Sequence, residues 1–430
     1  MRIGIDARLY SPRFGGVGRY VQELIDHLAH IDQENEYILF FNEEDYSQYL
    51  APNARFSKRR ITAKRGTLQE QTLFVKDLNR EQLDLMHFTN FDVPVLYKKP
   101  CIVTIHDLSL IKYPSGSQGF LQKMQQNMML NNIMANARRL ITVSQVIKEE
   151  AIKLVGAPVD RIRIINKAVS DQFQTESVDK KLLESLKIRL GIEKPYVLTV
   201  SFWHKQSNLI NLIKAYNLFR NRYNTDNQLV IVGKPNQEED AVRQVITELG
   251  LGNHVILTGF VDDRDLPLIY KGAHMYIHPA LDEGFGMTVL EAMASNVPVA
   301  CANAGALAEI CGADNAIFFE PQDTTNIAEA FHHVFDDEHV SSALKKKGLE
   351  QVKKYSWKDT AEKTLALYKE VAQELPAQNG GAVQGVAGIA GSMTKSMTDT
   401  AGRMTKSVTE TAGRLQDQGK ETLGKVTKRE

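Results

Sequence analysis

The chain has 430 residues, which is enough for two domains of ordinary size with substantial hydrophobic cores. Its 52 basic and 52 acidic residues balance, so the overall charge does not indicate nucleic acid as a partner. No apolar run approaches the roughly 18 residues that a membrane-spanning helix requires.

The first predicted element is an apolar strand over residues 2–6, and the 3 cysteines lie in apolar or strand-like segments without the spacing of a metal site. Buried free thiols of this kind are typical of a reducing compartment. A strand at the start also differs from the basic and apolar regions of a signal peptide. We therefore expect a cytoplasmic protein, either free or peripheral on the inner face of the plasma membrane.

The first strand is followed by Gly15, Gly16 and Gly18, which open an amphipathic run that extends through Leu28. Glycines between a strand and a helix permit positive φ angles and allow the backbone to approach a ligand closely. Such turns are common, so this feature alone predicts little.

Two further strand-like runs in the first half end at polar residues. One ends at His106 and Asp107, and the other ends at Ser144, which is placed to cap the next helix. A histidine at a strand end is explained most simply by hydrogen bonds to backbone groups. Contact with a ligand is the alternative.

Strand-like runs alternate with helical patterns over residues 1–180 and again over residues 190–355, with a predicted helix at Lys180–Leu190 between the two series. The strands of the second series are predicted at residues 197–200, 229–233, 255–261 and 275–279. Alternation of this kind predicts parallel sheets covered by helices. We expect an α/β fold of two doubly wound, Rossmann-like domains that face each other across a cleft, with ligands at the carboxyl ends of the strands.

The most informative segment is residues 278–294. There Glu283 precedes a Gly-Phe-Gly turn, and Glu291 follows after seven intervening residues. The turn opens an apolar helix, whose free backbone N–H groups and dipole would converge on one point and form an anion site. A carboxylate on each side of that site suits the hydroxyl groups of a sugar or a ribose. The alternative is that Thr288 and Glu291 form a capping box, which would make Glu291 a structural residue.

These segments, in this order over residues 1–374, resemble the retaining glycosyltransferases of the GT-B fold, in the large family that includes bacterial mannosyl- and rhamnosyltransferases. The Glu-Gly-Phe-Gly…Leu-Glu-Ala-Met-Ala segment is the most specific match. The opening Gly-Ile-Asp-Ala-Arg, the Gly-Gly-Val-Gly-Arg-Tyr turn, the His-Asp pair and the Tyr-Ser-Trp…Tyr segment from Tyr355 to Tyr368 also match.

The resemblance implies a hexosyltransferase that takes a nucleotide diphosphate sugar as its donor and a glycan or lipid-linked glycan as its acceptor. The first domain would bind the acceptor and the second the donor, and residues 356–375 would form a helix that crosses back to the first domain. Glu283 would contact the donor sugar, Glu291 the ribose, and His106 the 6-position of the sugar. The remaining donor contacts would come from Gly15, Gly16, Gly18, Gly259, Phe285, Gly286, Met287 and Thr288.

The resemblance to the GT-B enzymes does not include the Asp-x-Asp metal site of the other major glycosyltransferase fold. We therefore expect no metal site and no cofactor.

Two positions depart from the family pattern where positive charge should meet the diphosphate. Ser207 stands at the usual lysine position, and Ser201 stands where glycine or arginine is typical. Lys205 is the obvious replacement, and we assign it a catalytic role. In addition, Asn166-Lys167 replaces the usual Asn-Gly, so the interdomain turn should differ. The two serines motivate an alternative in which the protein is a non-catalytic relative that binds a nucleotide sugar or glycan as a membrane-associated scaffold.

A basic cluster in the first half bears on the acceptor; its members are Arg55, Lys58, Arg59, Arg60, Lys64 and Arg65. In the family such a face often meets anionic lipid head groups. A solvated loop is the simpler explanation of a charge run.

The composition changes at residue 376, and residues 376–430 contain no aromatic residue. Residues 393–403 and 404–414 repeat one 11-residue pattern, whose period of about 3.67 residues per turn is close to that of an α-helix. The family pattern does not include this Gly-, Thr- and Lys-rich tail. Three interpretations remain open: a solvated extension, since glycine disfavours helix; an amphipathic helix on an anionic lipid surface; and a self-associating coil.

Overall fold

The computed structural model describes residues 1–67, 69–113, 120–174, 178–236 and 238–374, and within them the strands form two parallel sheets. The strands of the first sheet are β1 (Arg2–Asp6), β2 (Glu36–Phe41), β3 (Phe56–Arg60), β4 (Leu85–Phe88), β5 (Cys101–Ile105), β6 (Arg139–Thr142) and β7 (Ile162–Ile164). Those of the second are β8 (Tyr196–Val200), β9 (Gln228–Val232), β10 (Val255–Gly259), β11 (Met275–His278), β12 (Val299–Ala302) and β13 (Ile317–Phe319).

The strand order in both sheets reverses beside the first strand of each. The orders are β3-β2-β1-β4-β5-β6-β7 and β10-β9-β8-β11-β12-β13. In the first sheet, Ile5 lies between Leu39 and His87; in the second, Tyr276 lies between Leu198 and Val299. A reversal of this kind leaves a crevice at the carboxyl ends of the two central strands, where ligands bind in doubly wound folds. The predicted fold class is confirmed.

Helices cover both sheets, so the central strands are buried and apolar. The helices up to the end of the first sheet are α1 (Gly15–Ile31), α2 (Glu43–Gln48), α3 (Val75–Arg80), α4 (Ser109–Lys112), α5 (Phe120–Asn136) and α6 (Gln145–Val155). The later ones are α7 (Lys180–Leu190), α8 (Leu209–Tyr223), α9 (Glu239–Glu248), α10 (Leu266–Gly272), α11 (Met287–Ala294), α12 (Leu307–Cys311), α13 (Thr324–Phe335), α14 (Glu338–Val352) and α15 (Trp357–Glu374).

Local sequence signals account for several of these helices. Ser144 caps α6, as predicted, because its side chain accepts a hydrogen bond of 3.2 Å from the Ile147 amide. The predicted helix between the two series has the bounds of α7. The glycine segment differs from the prediction. Gly15, Gly16 and Gly18 lie in the first turn of α1 and not in a loop before the helix.

The final helix, α15, packs against α1 of the first domain. Tyr368 of α15 lies 2.6 Å from Nδ1 of the buried His87, whose Nε2 lies 2.8 Å from Thr104 Oγ1; Thr104 in turn contacts Tyr20 of α1 over 3.2 Å. This buried series of hydrogen bonds connects α15, the last described helix, to the core of the first sheet. Met1–Glu374 forms one compact unit, so the domain boundaries stated above stay predictions.

The predicted basic cluster is largely paired within the protein. Lys58 donates to the carbonyl oxygens of Tyr46 and Tyr49, Arg59 binds Glu81, and Arg60 lies 3.1 Å from Glu43. Arg65 pairs with Asp92. Half of the six charges are therefore paired with carboxylates, which weakens the lipid interpretation of the cluster.

No helix in the described part of the chain is both long and apolar enough to cross a bilayer. The tail predicted at residues 376–430 lies outside the described residues, so its three interpretations stay open.

Candidate active site

The beginning of α11 is the centre of the site. Gly286 precedes the helix with φ of 92°, in the left-handed region that favours glycine, and no side chain caps the first turn. The Glu283 carboxylate occupies this position: its Oε1 accepts from the amides of Gly286 at 3.1 Å and Phe285 at 3.4 Å. The Phe285 and Gly286 amides therefore already bind a carboxylate of the protein itself, and the anion site for a ligand at the first turn of α11 stays a prediction.

The capping-box alternative for Thr288 and Glu291 is wrong. Gly286 holds the N-cap position and Met287 is the first helical residue, so Thr288 lies inside the helix, where it cannot cap it. Its hydroxyl instead lies 3.4 Å from Nδ1 of His278.

Glu283 is held as a carboxylate. Its side chain is 30 % exposed, and His278 Nε2 donates to its Oε2 over 3.1 Å. Burial raises the pKa of Glu283, but His278, the charge of Lys167 and the Phe285 amide together outweigh burial and lower the pKa to about 2. A fixed negative charge therefore persists beside the α11 amides at every physiological pH.

His106 lies at the end of β5 with one ring nitrogen unused. Its Nε2 lies 2.8 Å from the Thr89 carbonyl oxygen, which only accepts, so Nε2 carries the proton. Burial and the charge of Lys167 lower the pKa of His106 well below its ordinary value, so the ring is neutral. Its Nδ1 is buried without a hydrogen-bond partner. A neutral ring with a free lone pair can accept a hydrogen bond from a sugar hydroxyl.

Glu291 is buried, and its carboxylate already accepts hydrogen bonds from one residue of each domain. Arg19 of α1 forms an ion pair with its Oε1 and a second one of 2.6 Å with Asp263, while the Tyr270 hydroxyl donates to Oε2 over 2.9 Å. A carboxylate has about four acceptor positions, so capacity for ribose hydroxyls remains. Sequence reasoning did not assign a role to Arg19, which stands in the Gly-Gly-Val-Gly-Arg turn.

The three glycines of the first domain have different surroundings. A Cβ atom on Gly15 would lie 2.4 Å from the Phe202 ring, and one on Gly16 would lie 3.3 Å from Met287 Sδ. Both glycines therefore approach the second domain beside the start of α11. Gly18 packs within its own domain, because a Cβ there would lie 1.9 Å from the Ser11 carbonyl oxygen.

The segment after β8 does not present a cation to Glu283. The Ser201 hydroxyl donates to the Phe202 carbonyl over 2.9 Å, and the Ser207 hydroxyl donates to the same oxygen. Lys205 is exposed and forms no hydrogen bond or ion pair through its side chain with the described residues. Gly259 has φ of 70° and accepts from the Gly233 amide over 3.0 Å, near the end of β9. None of these contacts reaches the start of α11.

Among the described residues, no group of three or more His, Cys, Asp or Glu side chains is arranged to hold a metal ion. Independence from metal stays a prediction.

Contacts across the cleft hold the two domains close together. Ser144 donates to the Gly284 carbonyl over 2.9 Å, and Lys112 of α4 forms an ion pair of 2.6 Å with Asp282. Glu309 accepts from the Gln145 amide, over 2.8 Å, at the start of α6, where the helix dipole favours an anion. These contacts surround the Glu283 turn on the side of the first domain.

Gly284 is the tightest point of this contact. A Cβ there would lie 2.1 Å from the His106 carbonyl oxygen, which is a backbone atom. We expect Gly284→Ala to destabilise the closed arrangement by about 1–3 kcal/mol, as overpacking does, and to reduce enzymatic turnover. Small-angle scattering should show a larger radius of gyration. Gly252→Ala is the matched control, because a Cβ there meets nothing within 4 Å. An unchanged radius and turnover would contradict this close approach.

Comparison with known proteins agrees with this architecture. The family described as Glycosyltransferase Family 4 matches residues 14–173, and Glycosyl transferases group 1 matches residues 184–351. The O-antigen chain mannosyltransferase B of Escherichia coli is 26 % identical over 371 residues, which cover 82 % of this chain and 96 % of that protein.

Solved structures share the fold at low identity. Sucrose-phosphate synthase from Thermosynechococcus elongatus superposes with a TM-score of 0.73 at 20 % identity, covering 87 % of this chain and all 100 % of the other. Anabaena HepE in complex with UDP and glucose gives 0.69 at 18 % identity, with 86 % and 100 % covered. The two family matches follow each other along the chain; the first covers β2–β7 of the first sheet, and the second covers all strands of the second sheet. The chain therefore belongs to the group 1 and family 4 glycosyltransferases and is a GT-B glycosyltransferase.

Proposed function

We propose that this enzyme transfers a hexose, with mannose as the first candidate, from a nucleotide diphosphate sugar to a glycan or lipid-linked glycan acceptor. Retention of the anomeric configuration and independence from metal are parts of the proposal. The observation that carries it is the Glu283 carboxylate, held ionised at the start of α11 beside the unused Nδ1 of His106. The mannosyltransferase named among the relatives supports the choice of sugar.

The geometry suits the charges of such a reaction. As the bond between the anomeric carbon and the phosphate oxygen breaks, negative charge grows on the diphosphate and positive charge grows on the sugar. Backbone amides and the dipole of α11 would stabilise the first, and the Glu283 carboxylate would stabilise the second. In a retaining transfer the acceptor hydroxyl attacks from the face that the diphosphate leaves, and its proton passes to the departing phosphate oxygen.

The other predicted residues would orient the donor. His106 Nδ1 accepts a hydrogen bond from a sugar hydroxyl in this proposal, and Glu291 binds the ribose through the acceptor positions that Arg19 and Tyr270 leave open. Gly15 and Gly16 would close over the diphosphate from the first domain. An anionic membrane remains a candidate partner through the tail and through Arg55 and Lys64 of the basic cluster.

A donor panel tests the proposal. GDP-, UDP- and ADP-hexoses are incubated with the full chain and oligosaccharide acceptors, and the products are analysed by mass spectrometry and by NMR of the anomeric proton. We expect transfer from GDP-mannose, retained configuration, and no loss of rate with EDTA. An inverted product or a rate restored only by Mg²⁺ would refute the corresponding part. Nucleotide binding without turnover of any donor would favour the scaffold instead.

A further inference from the structure

The donor diphosphate of the proposed reaction needs a cation, and the expected positions do not provide one. Both serine hydroxyls after β8 are bound to the Phe202 carbonyl, and Lys205 is exposed. Charge-assisted hydrogen bonds are roughly twice as strong as neutral ones, so a diphosphate site without a cation would be weak. The remaining source of positive charge is the set of residues around the start of α11.

Three cations of the first domain lie near the α11 turn, and two of them are neutralised. Arg19 is paired with Glu291 and Asp263. Lys112 is paired with Glu150 at 2.5 Å and with Asp282 at 2.6 Å. The third is Lys167, which forms no hydrogen bond or ion pair with any residue in the part of the chain that the structure describes.

Lys167 is nonetheless buried, with 6 % of its surface exposed. The neighbouring backbone is fixed, because Asn166 donates to the Val143 carbonyl over 3.0 Å and its own carbonyl accepts from Thr360 over 2.7 Å. Burial of a lysine is costly, because its ammonium loses hydration and no described residue replaces the lost water with a hydrogen bond. Perturbed, unsatisfied charges of this kind concentrate at functional sites.

The charges around Lys167 locate it within the site. It interacts electrostatically with Glu283 of the second domain and with Asp107 after β5, and it contributes to the lowered pKa of His106. The Glu283 carboxylate itself lies on the Phe285 and Gly286 amides, directly before α11. An anion bound at the free amides of the first turn of α11 would therefore lie close to the Lys167 ammonium.

We propose that Lys167 supplies the positive charge that meets the donor diphosphate, in place of the cations missing after β8. In this role it binds the diphosphate in the ground state and stabilises the charge that grows as the sugar leaves. The assignment rests on the proposed function, which names the diphosphate as the anion. The sequence departs from the family pattern in both places: serines stand after β8, and Lys167 stands where the resemblance implies glycine.

Binding of nucleotides without sugar tests the assignment independently of turnover. Isothermal titration of the full chain compares GDP and UDP with GMP and UMP, for the wild type, Lys167→Met and Lys167→Arg. We expect Lys167→Met to weaken diphosphate binding roughly 10- to 100-fold, as the loss of a charge-assisted hydrogen bond does, and to change monophosphate binding less than about twofold. Lys167→Arg should recover most of the diphosphate affinity.

Two further variants separate the outcomes. Lys346→Met removes an exposed lysine of α14 and should change neither affinity, whereas Lys205→Met tests the rival cation. Diphosphate affinity unchanged in Lys167→Met, or lost in Lys205→Met instead, would overturn the assignment. So would an equal loss for mono- and diphosphates, because that result describes a general disturbance of the pocket. If Lys167→Met loses diphosphate affinity but the wild type transfers no sugar, the proposed function fails and the diphosphate contact stands.

Discussion

Replacing Glu283 by Gln is expected to reduce hexosyl transfer by about 10²- to 10³-fold, which is the cost of removing one preorganised group that stabilises charge in a transition state. Glutamine has the same shape, and its oxygen can still accept from the Phe285 and Gly286 amides. The negative charge opposite the departing diphosphate is lost, together with the hydrogen bond that Oε2 accepts from His278 Nε2. Steady-state kinetics with the best donor of the panel should show the loss in kcat rather than in KM.

The pH profile gives a second test of the Glu283 charge. Because the pKa of this carboxyl is about 2, the wild-type rate should not decline from loss of Glu283 charge between pH 5 and pH 8. Glu350→Gln, which removes an exposed carboxylate of α14, is the control for loss of charge alone. A Glu283→Gln enzyme with wild-type kcat and an unchanged melting temperature would exclude Glu283 from the chemistry.

The fold was predictable because its strands are apolar and its helices are periodic or capped. The runs at β1 and at β8–β11 were assigned from apolar composition, and α7 and the N-cap Ser144 from local patterns. Short strands such as β7 and β13 carry three residues each, which is too few for a periodicity to register. Their existence follows from the alternation of the series rather than from their own residues.

The candidate site was predictable only where its residues lie close together in sequence. Glu283 and the α11 amides belong to one turn, so a local pattern found them. The ion pair between Arg19 and Glu291 joins residues 272 positions apart, and no local pattern reports such a pair. The sequence showed that Lys167 departs from the family pattern, but it did not show that this lysine is buried near Glu283. That position depends on how the two domains pack against each other.

Lys167→Met is expected to make the unliganded protein more stable at pH 7, by up to about 3 kcal/mol, although it weakens diphosphate binding. Burial lowers the pKa of Lys167 from 10.5 to about 8, even though Glu283 and Asp107 act in the opposite direction. Between these two values the unfolded chain binds more protons than the folded one. Burying the protonated Lys167 therefore lowers the free energy of unfolding by its full amount below pH 8. This cost decreases as the pH rises and vanishes above pH 10.5.

Urea unfolding of the wild type, Lys167→Met and Lys346→Met at pH 7 and above pH 10.5 measures this penalty. Lysines elsewhere titrate equally in all three proteins, so the difference between variant and wild type isolates Lys167. A Lys167→Met protein that is less stable than the wild type at pH 7 would mean that Lys167 stabilises the fold through Glu283 and Asp107. That result would contradict the assignment of Lys167 as a residue kept for binding a ligand. Added GDP or UDP should reverse the order, because a ligand that binds only the folded state stabilises the tighter-binding protein more. A residue that costs stability when the site is empty and restores it when a diphosphate is bound behaves as part of a binding site, and a purely structural lysine would not show this reversal.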